Sequence, residues 1–251
     1  MESDLSQFRW DVVALRTTAF PKPSSETLGL GWWDSVIGEP PEERKEQPRT
    51  QESVEHAKRG KGRIELQINP VSVNWIHHIT EVQPQEKFEA LGEFQSNCEE
   101  FTALMNKWFN LDAVPDLGRL AFGAVLIQSA HSHEAGLERL AKYIRSVQVD
   151  PDNTSDFLYQ INRRRASRQA IDGLVINRLT KWSVGRLRVL MTQSDGRSSF
   201  LPTTSESLVQ LEIDINTVPE FEGVIKREEI SDVFEELVEL GSEIALKGDV
   251  S

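Results

Sequence analysis

The clearest pattern of apolar and polar positions lies near the C-terminus. Positions 208–215 alternate apolar side chains with polar ones, which predicts a β-strand with one buried face. After Pro219, apolar residues recur at intervals of three and four, as an amphipathic helix requires. They are Ile230, Val233, Phe234, Leu237, Leu240 and Ile244. We therefore expect a strand that is covered by a long terminal helix.

Similar patterns predict the other elements of the chain. Alternation indicates strands at 8–15, 63–79 with an interruption at Pro70, 117–128, 157–165, 173–182 and 185–193. Helical stripes occupy 86–110 and 134–145. Residues 183–185, Ser-Val-Gly, suit a tight turn between the last two strands. Because strands outnumber helices and often follow one another, the sequence predicts an α+β fold with a mostly antiparallel sheet packed by long amphipathic helices.

The order of elements suggests two α+β halves, residues 1–112 and 113–251. In each half a strand is followed by a proline and then by a helix, so the halves are expected to be similar. Residues 20–62 break the pattern with five prolines and many charges, which predicts a long surface excursion without regular structure. Within it stand two adjacent tryptophans, Trp32 and Trp33. They either dock onto the body of the protein or form a partner site.

Composition narrows the class of protein. The chain has 251 residues, of which 38% are apolar and 27% charged, as in ordinary globular proteins. No apolar run approaches the roughly 18 residues that a membrane helix needs, and the start at Met1 is acidic, unlike a secretory signal. We therefore expect a cytoplasmic protein. The single cysteine, Cys98, excludes an internal disulfide and is expected to be a buried structural thiol.

Charge is unevenly distributed along the chain. The net charge is −12, which argues against a general nucleic-acid-binding protein. Residues 157–197 nevertheless carry nine basic residues against two acidic ones, whereas residues 206–251 carry thirteen acidic residues against three basic ones. Arginines on adjacent strands, near Tyr159 and Trp182, are expected to form one positive surface. That surface would meet nucleic-acid phosphates or an acidic protein surface, including the chain's own C-terminal helix.

Few residues suggest catalysis. His131 and His133 lack the further ligands that a zinc site needs, and His77 and His78 would point to opposite faces of a strand. Glu212 and Asp214 share one strand face, but alternation on a solvated face explains them equally well. Gly29 and Gly31 lack the lysine and flanking elements of a phosphate-binding loop. The sequence therefore predicts no catalytic residues, no metal site and no cofactor.

The order of parts resembles a family of bacterial proteins that is sporadically distributed and has no characterised activity. The resemblance rests on Leu211-Glu212-Ile213-Asp214-Ile215 leading into the terminal helix, and on Asn162 and Arg163 in the basic strand. It implies an α+β fold and a bacterial cytoplasmic setting. It also suggests an accessory role in a mobile or anti-phage defence cassette, and it supplies no catalytic residues.

These observations favour a non-enzymatic accessory module that binds another protein. The expected partner-binding residues are Trp32, Trp33, Arg163, Arg165, Arg178, Arg186 and Arg188. The alternative is a nucleic-acid-binding protein that uses the basic strands of 157–197. An enzyme ranks third, no membrane contact is expected, and a homo-oligomer stays open.

Overall fold

The computed structural model describes residues 9–22, 31–80, 89–186, 190–192, 198–200 and 207–249. In the first half these residues form β1 (Asp11–Pro21), α1 (Trp32–Ile37), β2 (Glu43–Gln47), β3 (Glu52–Arg59), β4 (Gly62–Ile68), β5 (Val73–Ile79) and α2 (Phe94–Phe109). In the second half they form β6 (Leu117–Ala130), α3 (His133–Tyr143), β7 (Phe157–Ala166), β8 (Val175–Arg186), β9 (Leu190–Thr192), β10 (Ser198–Phe200), β11 (Ser207–Thr217), a 3-10 turn (Arg227–Glu229) and α4 (Ile230–Lys247).

A single antiparallel sheet dominates the described part of the chain. Its nine strands lie in the order β2-β3-β4-β5-β1-β6-β11-β8-β7, while β9 and β10 pair only with each other. In each half a strand and a helix precede a meander whose last strand returns beside the first. β1 and β6 then pair in the middle, so one sheet runs through both halves. The predicted α+β class with an antiparallel sheet is confirmed.

The four helices pack on one face of this sheet. Along β11 every second side chain is buried, from Ser207 to Thr217, as one covered face requires. α4 lies across β6 and β11, where a Cβ added at Gly241 would come within 2.9 Å of the Phe122 ring. Gly136 of α3 similarly approaches Val184 of β8. The opposite face, which we call the open face, has no described helix against it.

Aromatic side chains fill the space between the sheet and the helices. Under the first half, the Trp33 ring stacks on Trp75 at 6.0 Å, and Trp108 lies 6.2 Å from Trp75. Under the second half, Trp10 and Tyr143 surround Trp182, and the Trp10 indole donates a 2.8 Å hydrogen bond to the Ala245 carbonyl in α4. Burial of such large side chains supplies much of the driving force for folding.

Several sequence-based expectations differ from the structure. The helix expected at 86–110 begins at Phe94, and the strand expected at 8–15 continues to Pro21. The turn expected at residues 183–185 does not exist, because β8 continues through them and pairs with β11 and β7 on both sides. Part of the supposedly irregular excursion is also regular. It contains α1, β2 and β3, and these two strands extend the sheet to its outer edge.

Candidate interaction surface

The expected cluster of arginines lies mainly on β7 and β8. Arg163 is directly opposite Arg178 in the register of these neighbouring strands, and Arg165 is opposite Ile176. All three positions share the face that carries the buried Trp182, so they point toward the helices. Like charges directly opposite each other are destabilising, so this pair requires nearby negative charge.

Asp249, just after α4, supplies that charge. Its carboxylate accepts 2.9 Å hydrogen bonds from Nε and Nη2 of Arg163, one of 2.9 Å from the Tyr159 hydroxyl and one of 2.8 Å from Ser146. The Asp249 side chain is 3% exposed. Burial alone would raise its pKa, but the hydrogen bonds from Arg163, Ser146 and Tyr159 outweigh burial and hold the pKa below its usual value.

The other arginines of this segment lie in different environments. Arg164 forms an exposed 2.9 Å ion pair with Glu220, and Arg168 pairs with Glu239 of α4. Arg178 is 4% exposed, and burial lowers the pKa of its guanidinium although Glu243 opposes that effect. Arg165 is exposed and makes no ion pair with a described residue.

Two further members of the cluster fall outside the description of the structure. Arg186 ends β8, but its side chain lies outside the described part of the chain, as does the whole of Arg188. The acidic C-terminal segment therefore neutralises part of the basic segment within the molecule, which is one of the two arrangements that the sequence left open.

Trp32 and Trp33 are core residues in this conformation. They are 2% and 0% exposed, and Trp32 packs edge-on against Trp108 at 5.5 Å. The Trp33 indole donates a 2.8 Å hydrogen bond to the Glu39 carbonyl, which fixes the short helix α1. Both tryptophans are therefore docked onto the body of the protein. They could contact a partner only if α1 moved away from the core, so a contact surface in this conformation must consist of other residues.

The carboxylates considered for catalysis lie on the open face. Glu212 accepts 2.8 Å hydrogen bonds from Lys181 and Gln210, while Asp214 accepts one of 3.0 Å from the Asn216 amide. These contacts link neighbouring positions of the sheet. They explain both carboxylates as parts of a polar surface ladder.

The histidines and the cysteine also have structural surroundings. His133 is 6% exposed, and neither ring nitrogen has a hydrogen-bond partner among the described residues. His77 and His78 lie on opposite faces of β5, as expected. No group of three metal-ligating side chains occurs within the described ranges. Burial raises the pKa of the Cys98 thiol to about 11, which keeps it protonated at neutral pH.

The strand order reveals a feature that the sequence did not show. The sheet has two edges, β2 and β7, and in the described structure each pairs on one side only. β2 is five residues long, exposed at every position and reads Glu-Arg-Lys-Glu-Gln, whereas β7 is ten residues long and begins Phe-Leu-Tyr-Gln-Ile. Leu158 of β7 is 64% exposed. We call five exposed side chains of β7 the β7 surface: Leu158, Gln160, Asn162 and Arg164 on the open face and Arg165 on the helix-side face.

Together, the fold and the β7 surface define an α+β protein whose described residues form a nine-stranded antiparallel sheet with one long edge that no described strand covers. Comparisons with family models, with curated proteins and with solved structures find no match for this chain. The resemblance to a bacterial family therefore stays a prediction. None of the helices in the described ranges is long and apolar enough to cross a membrane.

Proposed function

We propose that this chain is a non-enzymatic interaction module, an accessory subunit in a bacterial defence or regulatory complex, and that it binds a partner protein through the β7 surface. The observation that carries the proposal is the 64% exposure of Leu158 on a ten-residue edge strand. Long unpaired edge strands invite pairing with another chain, and natural proteins usually shield them. The contrast with the charged, five-residue β2 supports a retained contact.

The charges of the β7 surface fit a protein partner. Leu158 and Gln160 precede Arg164 on the open face, and Arg165 is exposed on the helix-side face at the same end of β7, which gives an apolar start with a polar, positive border. Protein interfaces commonly combine such an apolar centre with arginine at its border. A net charge of −12 for the whole chain limits attraction to nucleic acid outside this region.

The experiment compares three tagged proteins expressed in the native host: wild type, Leu158→Asp with Arg165→Glu, and Val71→Asp. Val71 is 69% exposed near β5, far from β7 in the strand order, and so serves as the matched surface control. We expect a partner protein to co-elute with wild type and with Val71→Asp in size exclusion. The partner should be absent from the double variant Leu158→Asp with Arg165→Glu. Equal recovery with all three proteins contradicts the proposal. A larger species made of this chain alone indicates a homo-oligomer instead.

Nucleic-acid binding is the second candidate, and it rests on the open face. Arg164 and Lys181 lie on that face near a hydrogen-bonded row of amides, Asn162, Asn177 and Asn216. Arginine and lysine can hold phosphates, and amides can bind base edges. Filter binding of duplex and single-stranded nucleic acid at two salt concentrations tests this. Phosphate contacts require affinity that falls steeply with salt.

A further inference from the structure

β7 has the backbone chemistry of an open pairing site. In an antiparallel sheet, alternate amide and carbonyl groups of an edge strand point away from its neighbour. β7 pairs with β8 from Phe157 to Ala166, and no described strand lies on its other side. A polypeptide in extended conformation can bind there by adding hydrogen bonds along the strand, with side-chain contacts on both faces.

The side chains of β7 change character along the strand. Its first half carries Phe157, Leu158 and Ile161, while its second half ends with the arginines of positions 163–165. A strand laid beside it therefore meets apolar groups at one end and guanidinium groups at the other. Pairing of cross-strand neighbours by charge and by apolar contact selects a segment with the complementary order.

Carboxylates already bind the arginine end. Asp249 contacts Arg163 with both oxygens, and Glu220 forms an ion pair with Arg164 at 2.9 Å. Arg165, the next residue in the sequence, is exposed and has no acidic partner within the described part of the chain. A second copy of β7 in antiparallel orientation would bring its apolar start, without a carboxylate, to the arginine end, so charge complementarity favours an acidic segment.

We propose that β7 accepts a tenth strand from the partner protein, an extended segment that is acidic at its N-terminal end and apolar at its C-terminal end. The antiparallel orientation matches every other pairing of the sheet and places the acidic end beside Arg164 and Arg165. This mode of binding rests on the proposed function, because it specifies how the β7 surface holds its partner.

The first test uses the peptide Glu-Glu-Glu-Thr-Val-Thr-Val-Val-Thr and the full chain. Two further peptides carry N-methyl groups on alternate residues, one on the odd positions and one on the even positions. Only one of these sets faces β7 in a paired strand, so one methylated peptide should bind about tenfold more weakly or worse and the other should bind like the parent. Equal binding by both methylated peptides, or no binding by the parent, overturns strand addition.

Hydrogen exchange locates the pairing. Peptide binding should slow amide exchange at every second residue of β7, because the outward amides acquire a hydrogen-bond partner while the inward ones already pair with β8. Exchange should stay unchanged in β2, the other edge of the sheet. Uniform slowing along β7, or protection confined to other strands, contradicts the inference.

Charge exchange tests the acidic identity of the segment. The variant Arg164→Glu with Arg165→Glu should lose the parent peptide and bind a version with three N-terminal lysines, while wild type prefers the glutamate peptide. Failure of this exchange overturns the acidic assignment. The two proposals can fail separately. If Leu158→Asp with Arg165→Glu loses the native partner but the β7 amides show no protection in the native complex, the chain is an interaction module and strand addition is wrong.

Discussion

Asp249 binds Arg163 through two parallel hydrogen bonds of 2.9 Å, although 86 residues separate them in the chain. The contact fastens the end of α4 to β7. Because α4 also covers β6 and β11, this pair couples the C-terminus to the edge strand on which the proposed interaction depends.

Replacing Asp249 with asparagine should destabilise the protein. Asp249→Asn keeps the size of the side chain but removes the charge that Arg163, Tyr159 and Ser146 contact. We expect the free energy of unfolding, measured by urea denaturation, to fall by about 1–3 kcal/mol. The loss is limited because Arg163 is partly exposed and can bind water instead. Asp112→Asn, the same change at the exposed ion pair with Arg227, is the control and should change stability by less than about 0.5 kcal/mol. Equal effects of both substitutions contradict the assignment.

The same contact should give a defined pH dependence. The pKa of Asp249 lies below its usual value in the folded protein, because hydrogen bonds from Arg163, Ser146 and Tyr159 outweigh burial. Its contribution to stability is therefore fully present above the unfolded-state pKa of about 3.9 and is lost as the pH falls through the lower, folded value. The stability difference between wild type and Asp249→Asn should thus shrink below about pH 4. A difference that grows on acidification contradicts this sign.

Gly248 places Asp249 in its site. It has φ of +84°, and an added Cβ would lie 2.1 Å from the Tyr143 carbonyl oxygen, which is backbone and cannot rotate away. Gly173 has a similar φ of +73° but nothing within 4 Å of an added Cβ. Gly173→Ala should therefore cost only the left-handed strain of about 1–2 kcal/mol. Gly248→Ala should lower the stability more than Gly173→Ala does, as measured by thermal unfolding. Because it displaces Asp249, it should lower the stability little further when Asp249→Asn is already present.

Trp33 and Leu158 should behave in opposite ways. Trp33 is fully buried against Trp75, so Trp33→Ala should lower the free energy of unfolding by about 3–5 kcal/mol. Leu158 is 64% exposed, so Leu158→Ala should stay within about 0.5 kcal/mol of wild type while weakening partner binding. Chemical denaturation together with size exclusion separates the two effects. Loss of the partner from Trp33→Ala without loss of stability would restore Trp33 as a contact residue.

The sequence could predict elements whose two faces differ sharply. β11 and α4 were predicted close to their observed bounds, because one side of each is buried and the other faces solvent. β8 was divided wrongly at residues 183–185. Ser183 and Gly185 lie on the open face, while Val184 continues the buried face with Trp182. The two small residues around a single apolar one therefore resembled a turn.

The strands at the sheet edge of the first half were not predicted, because apolar and polar residues alternate only weakly there. β2 is polar on both faces and β3 has only Val54 and Ala57 as apolar side chains, as an edge region permits, so the sequence predicted irregular structure there. In β1 a bulge between Val12 and Ala14 shifts the parity, which makes Leu15 rather than Ala14 the next core residue. Local patterns do not encode such shifts in register.

The candidate surface was only partly predictable. The sequence placed Arg163 and Arg178 on adjacent strands, which is correct. Arg178 also shares its parity with Ile176 and Trp182, and this signal could have indicated burial. The exposed edge at Leu158 depends on the order of nine strands, which arises from contacts between residues far apart in the chain.

His133 offers a test of an unsatisfied polar group in the core. Its ring is 6% exposed, and both nitrogens lack a hydrogen-bond partner among the described residues, a situation that costs about 1–3 kcal/mol when donors or acceptors are buried. His133→Phe keeps an aromatic ring and removes the nitrogens, so the free energy of unfolding should rise by about 1 kcal/mol. His131→Phe, at the exposed position before Ser132, is the matched control and should leave stability nearly unchanged. A loss of stability in His133→Phe, measured by urea denaturation, would show that the imidazole nitrogens have a partner that stabilises the fold.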